Sequence, residues 1–143
     1  MKISSKTHYG VQICFRLAQK NGETVSVKEF EKLTAVSDKY IEKVMRILSN
    51  TGIVKSTRGA NGGYTLARPA SQIKMGEVVR ALEENNLEFI GCVSKKGCCC
   101  PSSRIWQKLY KGMNEILDGI TLQDMVDDNL SEEKKCNKIC EAK

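Results

Sequence analysis

The sequence contains one stretch whose residue types suit chemistry better than packing. Four of the seven cysteines fall within nine residues, at Cys92, Cys98, Cys99 and Cys100. Glycines, lysines and a proline surround them, and no helical or strand period of apolar residues runs through the stretch. Thiolates bind soft metals and iron–sulfur clusters, and they also undergo reversible oxidation. We therefore predict a loop that senses metal or redox state.

Three kinds of chemistry remain open for this loop on the residues alone. Lys95 and Lys96 lower the pKa of nearby thiols, which promotes metal binding and equally activates a metal-free thiol. The thiols can hold an iron–sulfur cluster. They can instead hold zinc, or Cys92 can form a disulfide with one of residues 98–100 under oxidation.

The composition is that of a single globular domain. The chain has 143 residues, of which 41% are hydrophobic, and this is enough for a core. It has no apolar run long enough to span a membrane and no N-terminal signal segment, so we predict a cytoplasmic protein. An odd number of clustered cysteines argues against a disulfide scaffold. Cys136 and Cys140, spaced i, i+4, are weaker candidates for pairing or metal binding.

Positive charge is concentrated in the first part of the chain. Residues 1–80 hold 14 Lys/Arg against 6 Asp/Glu, a net +8, whereas residues 81–143 hold 9 against 11, a net −2. Such asymmetry is typical of a protein that binds a polyanion such as nucleic acid. A merely solvated surface can carry the same charge, so the elements that present it decide between the two.

The basic part has the element pattern of a helix-turn-helix. The apolar spacing predicts a first helix over 5–20, with Cys14 in its core stripe. Ser26 and Glu29 form a capping-box pattern at the start of a second helix that ends near residue 33. A short turn then leads to a third helix that ends near Asn50.

The third helix carries the predicted recognition surface. Ser37 or Asp38 caps it, and its polar residues at i, i+3, i+4 and i+7 share one exposed face. Lys and Arg neutralise phosphates or donate to guanine, and Glu accepts from cytosine N4. A helical hairpin with a solvated charged face also fits these residues. The residues predicted to contact DNA here are Ser37, Lys39, Glu42, Lys43 and Arg46.

A β-hairpin directly after this helix favours the DNA-binding interpretation. Strands are predicted over 53–57 and 64–68, with a glycine-rich turn between them and Arg58 at its tip. A hairpin at this position is a wing, whose arginine can enter the minor groove beside the recognition helix. The helix-turn-helix and the wing together are more specific than either alone.

The remaining helices are predicted to join two copies of the chain. A helix over 73–84, capped by Ser71, completes the winged domain, and a long helix begins at Pro101 or Ser102. Apolar residues on the long helix are spaced 3, 4, 3, 4, as in a two-fold dimer seam, although such a stripe can also pack on its own domain. The seam residues are Trp106, Leu109, Met113, Ile116 and Ile120.

The predicted fold class is mostly α with a small β-hairpin: a winged helix-turn-helix plus a long C-terminal dimerisation helix. The winged domain covers 1–84, the sensor loop 85–102, the dimerisation helix and a short terminal helix ending near Asn129 cover 103–129, and a disordered tail covers 130–143. The lone His8 has no catalytic partner placed by sequence, and no nucleophile elbow or phosphate-binding loop is present. We predict that the protein is not an enzyme.

Two stretches resemble the Rrf2 family of transcription regulators. They are RGANGGY at 58–64, which is the more specific, and VSDKYIE at 36–42, together with the later cysteines. The similarity runs from residue 1 to about residue 129, and the chain resembles the group of the iron–sulfur cluster assembly regulator and the nitric oxide-sensing repressor. The family also includes iron-response regulators and the cysteine-metabolism repressor. It implies a winged-helix homodimer that represses or activates transcription by binding a double-stranded DNA operator.

The resemblance also implies ligands for a [2Fe–2S] or [4Fe–4S] cluster. Cluster-bearing members use three cysteines, commonly spaced C-x5-C-x5-C, with a tryptophan six residues after the last. Cys92 and Cys98 match the first spacing, and Cys100 stands six residues before Trp106. The second spacing is shortened to one residue, which changes how three thiolates would converge.

The fourth ligand remains open. Ser103 stands where one branch of the family has a ligating histidine. Other members take this ligand from the first helix of the partner subunit, at the position that matches His8, and Cys99 is the second candidate. Some relatives carry no cluster and act through a partner protein. A metal-free thiol switch and a regulator acting through a protein partner are therefore the alternatives.

Overall fold

The computed structural model describes residues 3–84, 87 and 100–141, with side chains described up to residue 132. Cys92, Cys98 and Cys99 therefore lie outside the described residues. Within the described part, no helix is long and apolar enough to cross a bilayer. The elements are α1 (Ser5–Gln19), α2 (Val27–Thr34), α3 (Asp38–Asn50), β1 (Val54–Thr57), β2 (Gly63–Leu66), a 3₁₀ turn (Ala70–Gln72), α4 (Met75–Leu82), α5 (Ser103–Gly119) and α6 (Leu122–Glu141).

This element order confirms the predicted fold class, a mostly helical winged helix-turn-helix with a small hairpin. One hydrophobic core joins the helices of the winged domain and also receives α6. Cys14 is fully buried in it, and burial raises the pKa of this thiol to about 12, so it is a core residue as predicted. The largest fully buried side chains include Ile13, Leu17, Phe30, Ile41, Met45, Leu48, Leu82 and Leu122.

The start of α2 differs in one bond from the predicted capping box. The Ser26 hydroxyl accepts a hydrogen bond from the Glu29 backbone N–H at 3.4 Å, as predicted. The Glu29 carboxylate binds Arg16 of α1 instead of closing the box, with Arg16 Nη2 donating at 2.7 Å. A cation within reach on the neighbouring helix offers a charge-assisted bond, which is stronger than a bond to a neutral backbone N–H. Glu29 therefore ties α1 to α2.

The turn between α2 and α3 is closed by local hydrogen bonds. Ala35 adopts a left-handed conformation with φ 54°, and its N–H donates to the Glu31 carbonyl. The Thr34 hydroxyl donates to the Phe30 carbonyl at 2.8 Å in a buried position. These bonds satisfy the last carbonyls of α2 and direct the chain into α3.

The core face of α3 is formed by Ile41, Val44, Met45 and Leu48, all fully buried. Tyr40 and Ile47 are half-buried and pack against the same core. The polar side chains on the opposite face of the helix are exposed to solvent.

The wing is a two-stranded antiparallel hairpin with one further backbone bridge. Val54 pairs with Leu66 and Thr57 with Gly63. Val25, just before α2, exchanges two hydrogen bonds of 2.9 Å with Tyr64, so a third backbone segment pairs with β2. The hairpin is thereby fixed against the start of the helix-turn-helix.

The fourth and sixth helices meet through their starting segments. The helix predicted over 73–84 runs over Met75–Leu82, and Ser71 lies in the 3₁₀ turn instead of capping it. Glu77 caps α4, since its carboxylate accepts from the Lys74 N–H at 3.1 Å. The Met75 N–H donates to the Ile120 carbonyl at 2.8 Å, which holds the end of α5 against the start of α4.

The final helix ends later than the sequence predicts. Thr121 and Asp124 cap it reciprocally, with the Asp124 carboxylate accepting from the Thr121 N–H at 2.8 Å. The prediction that it ends near Asn129 is wrong, because α6 continues to Glu141 through the segment for which the sequence predicts disorder. The added segment is rich in Glu and Lys, which are good helix formers, and it contains no Gly or Pro.

Candidate DNA interface and sensor site

The recognition helix α3 presents its polar residues because its apolar residues are held in the core. Four buried side chains fix the rotation of the helix about its axis, and the opposite face of the helix is therefore exposed to solvent. Ser37 is the N-cap residue, and its side chain makes no capping bond, so its hydroxyl is available to another partner. The side chains that this arrangement leaves exposed are Ser37, Lys39, Glu42, Lys43 and Arg46.

The glycines of the RGANGGY stretch shape the wing beside this helix. Gly59 has φ +123°, a conformation that residues with a side chain rarely adopt. A Cβ on Gly63 would lie 2.4 Å from the Val25 carbonyl oxygen, so the Val25–Tyr64 bridge requires glycine at this position. Arg58 is exposed at the start of the turn, where it can reach past the hairpin.

A groove of about 290 Å³ separates the recognition helix from the wing. Glu42, Arg46 and Ser49 line it from α3, and Ser56 and Tyr64 line it from the two strands. Ser49, Ser56 and Tyr64 are polar residues that the sequence did not single out as site residues. The strand register would have indicated two of them, because Ser56 pairs directly with Tyr64 and the two residues therefore lie side by side. The groove brings two predicted DNA-binding residues together with hydroxyl donors of the wing.

The sensor loop has one predicted cysteine ligand within the described residues. Cys100 is half-buried just before α5, and its Sγ lies 3.1 Å from the Ser102 hydroxyl. Among residues 3–84, 87 and 100–132, no three His, Cys, Asp or Glu side chains come close enough to hold a metal ion. By residue type, the cysteines of the loop are donors of the kind that an iron–sulfur cluster takes, and Cys100 is the one whose surroundings the structure describes.

His8 lies on an exposed part of α1 at the rim of an apolar pocket. Its Nε2 is 3.4 Å from Gln12 Nε2, and its ring meets Tyr9 edge to face. The pocket of about 340 Å³ lies between α1, α4 and α5, and Met113 and Leu117 line its α5 side. An exposed imidazole on α1 is accessible to a second subunit, as the resemblance requires of a ligand supplied across a dimer.

The residues just before the sensor loop are tied to the start of α1. The Glu83 carboxylate accepts from the Ser4 N–H at 2.8 Å, and Glu84 accepts from Lys6 at 3.1 Å. Burial alone would raise the pKa of Glu83, but hydrogen bonds from Thr7 and Ser4 and the charge of Lys6 outweigh it and lower the pKa. The first stem of the loop is thus bound to the helix that carries His8.

The helix after the loop is bound to α4 by a charged contact. Arg80 donates to the Asn114 side-chain carbonyl at 2.8 Å and to the Asp118 carboxylate at 2.5 Å. Gly76 lies beneath this contact, and a Cβ there would be 2.1 Å from Asp118 Oδ1. We call these three polar residues, Arg80, Asn114 and Asp118, the α4–α5 clasp. It fixes the direction in which α5 leaves the winged domain.

The residues of the predicted dimer seam differ in how much one chain exposes them. Trp106 and Met113 are half-buried, and Leu109 and Ile116 are exposed. The helix ends at Gly119, so Ile120 is in extended backbone, and its inclusion in a helical seam is wrong. A residue just past the helix end can follow the apolar spacing without sharing the helix face.

The winged domain, with its exposed cationic helix and its hairpin, defines a helix-turn-helix transcription regulator. The chain belongs to the Rrf2 family, because the family model, described as an iron-dependent transcriptional regulator, matches residues 3–128. This confirms the resemblance stated from the motifs. The family consists of regulators and not of enzymes, which confirms the prediction on that point.

Individual relatives match over nearly the whole chain. The protein called rrf2 of Nitratidesulfovibrio vulgaris is 35% identical over 144 residues, covering 96% of this chain and 95% of that protein. IscR of T. potens superposes with a TM-score of 0.76 at 42% identity, covering 90% of this chain and 88% of that one. The oxidised form of Staphylococcus aureus CymR superposes with a TM-score of 0.73 at 34% identity, covering 88% and 96%. Regulators of this family bind DNA and typically act as dimers.

Proposed function

We propose that this chain is a sequence-specific DNA-binding transcription regulator of the Rrf2 type that acts as a homodimer in the cytoplasm. The observation that carries the proposal is the groove shared by α3 and the wing, with exposed cationic side chains around it. In a winged helix-turn-helix, such a helix enters the major groove. Arg58 is exposed at the start of the hairpin turn, and in this proposal it enters the adjacent minor groove, where the negative potential is strong.

The exposed residues of α3 divide by chemistry. Lys39, Lys43 and Arg46 neutralise phosphates or donate to guanine, and Glu42 accepts from cytosine. Ser37 precedes the helix, where a hydroxyl contacts the phosphate backbone. A two-fold dimer presents two such surfaces, which suits a palindromic operator with half-sites about one helical turn, roughly 34–36 Å, apart.

A binding-site selection from random double-stranded DNA tests this proposal. We expect enrichment of a palindrome that binds with an affinity that falls steeply as salt increases, because several phosphates are neutralised. Binding without enrichment, or an affinity that salt leaves unchanged, would contradict sequence-specific regulation. The selection is run on both the anaerobic and the air-exposed protein, so that its result does not depend on the state of the sensor loop.

We infer further that an iron–sulfur cluster, [2Fe–2S] or [4Fe–4S], sets this DNA affinity. Cys92, Cys98 and Cys100 would hold it, with Cys99 or His8 as the fourth ligand. When bound, such a group supplies a centre that responds to oxidants, to nitric oxide or to iron supply. The spacing of Cys92 and Cys98 and the half-buried position of Cys100 beside the Ser102 hydroxyl support this assignment.

Two sets of contacts can carry the state of the loop to the DNA interface. The Glu83 contacts hold one stem of the loop on α1, which also packs on α4 and α3. The α4–α5 clasp holds the helix that follows the other stem. A change in the shape of the loop therefore alters how α5 is held relative to the winged domain. In a dimer joined through α5, that change alters the distance between the two recognition helices.

A metal-free thiol switch is the second candidate. The shortened second spacing places three cysteines in a row at 98–100, and a similar regulator, CymR of S. aureus, was solved in an oxidised form. Peroxide would oxidise two thiols to a disulfide between Cys92 and one of residues 98–100, with release of water. Peptide mapping of peroxide-treated protein tests this candidate. Bound zinc and action through a protein partner are the remaining alternatives, and metal analysis and co-purification test them.

A further inference from the structure

The last turns of α6 carry two cysteines that the proposed function does not use. Cys136 and Cys140 are spaced i, i+4. In a disordered tail this spacing would fix no distance between them. Because α6 continues to Glu141, the two positions lie one turn apart on one face of a helix. The pair is separate from the sensor loop, since the whole of α5 lies between them in the chain.

The two cysteines follow the part of α6 that the hydrophobic core holds. Leu122 and Val126 are the buried residues near the start of the helix. Residues 130–132 are all exposed. Three consecutive residues nearly complete a turn of 3.6 residues, so the helix has left the core of its own chain at this level. Packing explains Cys14, but it gives no reason for a pair of cysteines in the turns that come after.

The helix makes a disulfide between the two positions unfavourable and a bridging metal ion favourable. Cβ atoms at i, i+4 of a helix are roughly 5–6 Å apart. Those of a disulfide are only about 3.5–4.5 Å apart, so the helix would have to deform to form one. A metal ion between two thiolates adds two metal–sulfur bonds, each of roughly 2.3 Å in the case of zinc. It can therefore bridge the pair while the helix stays intact.

We propose that Cys136 and Cys140 bind one monovalent copper ion through two thiolates. Thiolates favour monovalent copper, and two of them complete a linear coordination, whereas zinc almost always takes four ligands. Binding releases two thiol protons to solvent, and the copper stays monovalent. The negative end of the helix dipole opposes thiolates, and the positive charges of Lys134, Lys135 and Lys138 offset it. The proposal rests neither on DNA binding nor on a cluster in the sensor loop.

The first test titrates monovalent copper into the anaerobic full-length protein against a chromogenic copper chelator. The four cysteines within residues 92–100 are replaced by serine, because they also bind copper, and Cys14 is fully buried. We expect one copper ion per chain. Cys140→Ser should lower the affinity at least about a hundredfold, since a ligand itself is lost and not only a group that supports one. With the loop cysteines intact, the same substitution should remove one bound copper ion.

The matched control moves one thiol to another side of the helix. Cys140→Ser combined with Lys138→Cys keeps two thiols at i, i+2, which do not share a face. This variant should bind copper as weakly as Cys140→Ser alone. Lys138→Ser removes the same charge and keeps the pair, so its affinity should stay within about threefold of the background protein. If the moved thiol restores tight binding, or if the intact pair binds no copper, the proposal is overturned.

Circular dichroism of the same samples tests the geometry of the site. Copper should leave the helix content unchanged or raise it, because the ion joins two positions one turn apart. A fall in helix content on binding would contradict a site built on an intact helix. The affinity should also increase as the pH rises, since two protons are released. A protein that binds copper as predicted but selects no operator would contradict the DNA-binding function alone.

Discussion

The winged domain and α5 differ in how much of their packing one chain completes. In the winged domain the apolar faces of the helices are covered, and Phe30, Ile41 and Val44 have no exposed surface. On α5, two isoleucines leave about two thirds of their surface exposed. Burial of apolar surface drives folding, so the first region is stable within one chain. The second leaves apolar surface exposed, and in the proposed homodimer a second copy would cover it.

The two regions also differ in the kind of contact that holds their helices together. The helices of the winged domain share one hydrophobic core. By contrast, α5 contributes only the half-buried Leu117 to that core among the described residues, and the polar clasp of Arg80 with Asn114 and Asp118 joins it to α4. A polar attachment has geometry that depends on a few bonds, so it is more easily shifted than a core. This is the physical basis for placing the response to the sensor loop at α5.

The largest expected effect comes from the core. Phe30→Ala should lower the free energy of unfolding by about 3–5 kcal/mol, because it removes a fully buried aromatic side chain and leaves a cavity. Leu33→Ala, on the exposed side of the same helix, should cost about 0.5 kcal/mol or less. Urea denaturation followed by circular dichroism measures both. Similar losses for the two variants would show that the α2 core face is wrongly assigned.

The wing provides the next largest effect, on DNA binding instead of stability. Arg58→Ala should weaken operator binding by about ten- to a hundredfold, since a minor-groove contact and a positive charge are lost together. Lys28→Ala, an exposed cation at the start of α2, is the control and should weaken binding less. Fluorescence anisotropy at fixed salt measures both. A nearly unchanged DNA affinity of the Arg58 variant would show that the wing arginine does not contact the operator.

A smaller effect is expected at the clasp. Asp118→Asn should lower the free energy of unfolding by about 0.5–1 kcal/mol, because the ion pair with Arg80 is only partly shielded from solvent. It should also reduce the ratio of DNA affinities between the two states of the sensor loop. Glu23→Gln removes a more exposed pair with Lys20 and should change neither quantity measurably. A clasp variant with an unaltered ratio would exclude the clasp from signal transfer.

The smallest effect is a pH dependence of stability. The pKa of Glu83 is below its ordinary value of 4.5 in the folded chain, so the unfolded chain binds more protons in this range. The stabilisation is therefore complete above pH 4.5 and is lost as the pH falls through the folded pKa. In Glu83→Gln, the decline in melting temperature below pH 4.5 should be shallower than in the unmodified protein. An identical decline would show that Glu83 has no such contact in solution.

Sequence patterns predicted the winged domain well because local signals and burial agree there. The Ser26 cap, the apolar face of α3 and the glycine-rich hairpin each depend on neighbouring residues, and each is present in the structure. The glycines at 59 and 63 were predicted as turn residues, but the reason for Gly63, its approach to Val25, depends on a segment far away in the chain.

Sequence patterns did not predict the features that depend on residues far away in the chain. Apolar spacing alone could not tell that Met113 turns toward the pocket beside His8, since both sides of α5 carry apolar residues. The clasp joins Arg80 to residues more than thirty positions away, and no local pattern indicates such a pair. The later end of α6 was missed because a charged, solvated segment is compatible with a helix and equally with a disordered tail. The roles of the cysteines and of the exposed α3 residues stay predictions.

The central claim is that the sensor loop holds an iron–sulfur cluster that sets the DNA affinity of the winged domain. The most direct measurement is an ultraviolet–visible spectrum of the anaerobically purified protein, with iron, acid-labile sulfide and operator affinity measured on the same sample. We predict visible charge-transfer absorption, matched iron and sulfide, and an operator affinity that changes when the cluster is removed. Cys92→Ala should lose the absorption and keep the fold. A colourless protein that resists anaerobic reconstitution, or a cluster whose removal leaves DNA affinity unchanged, would contradict the claim.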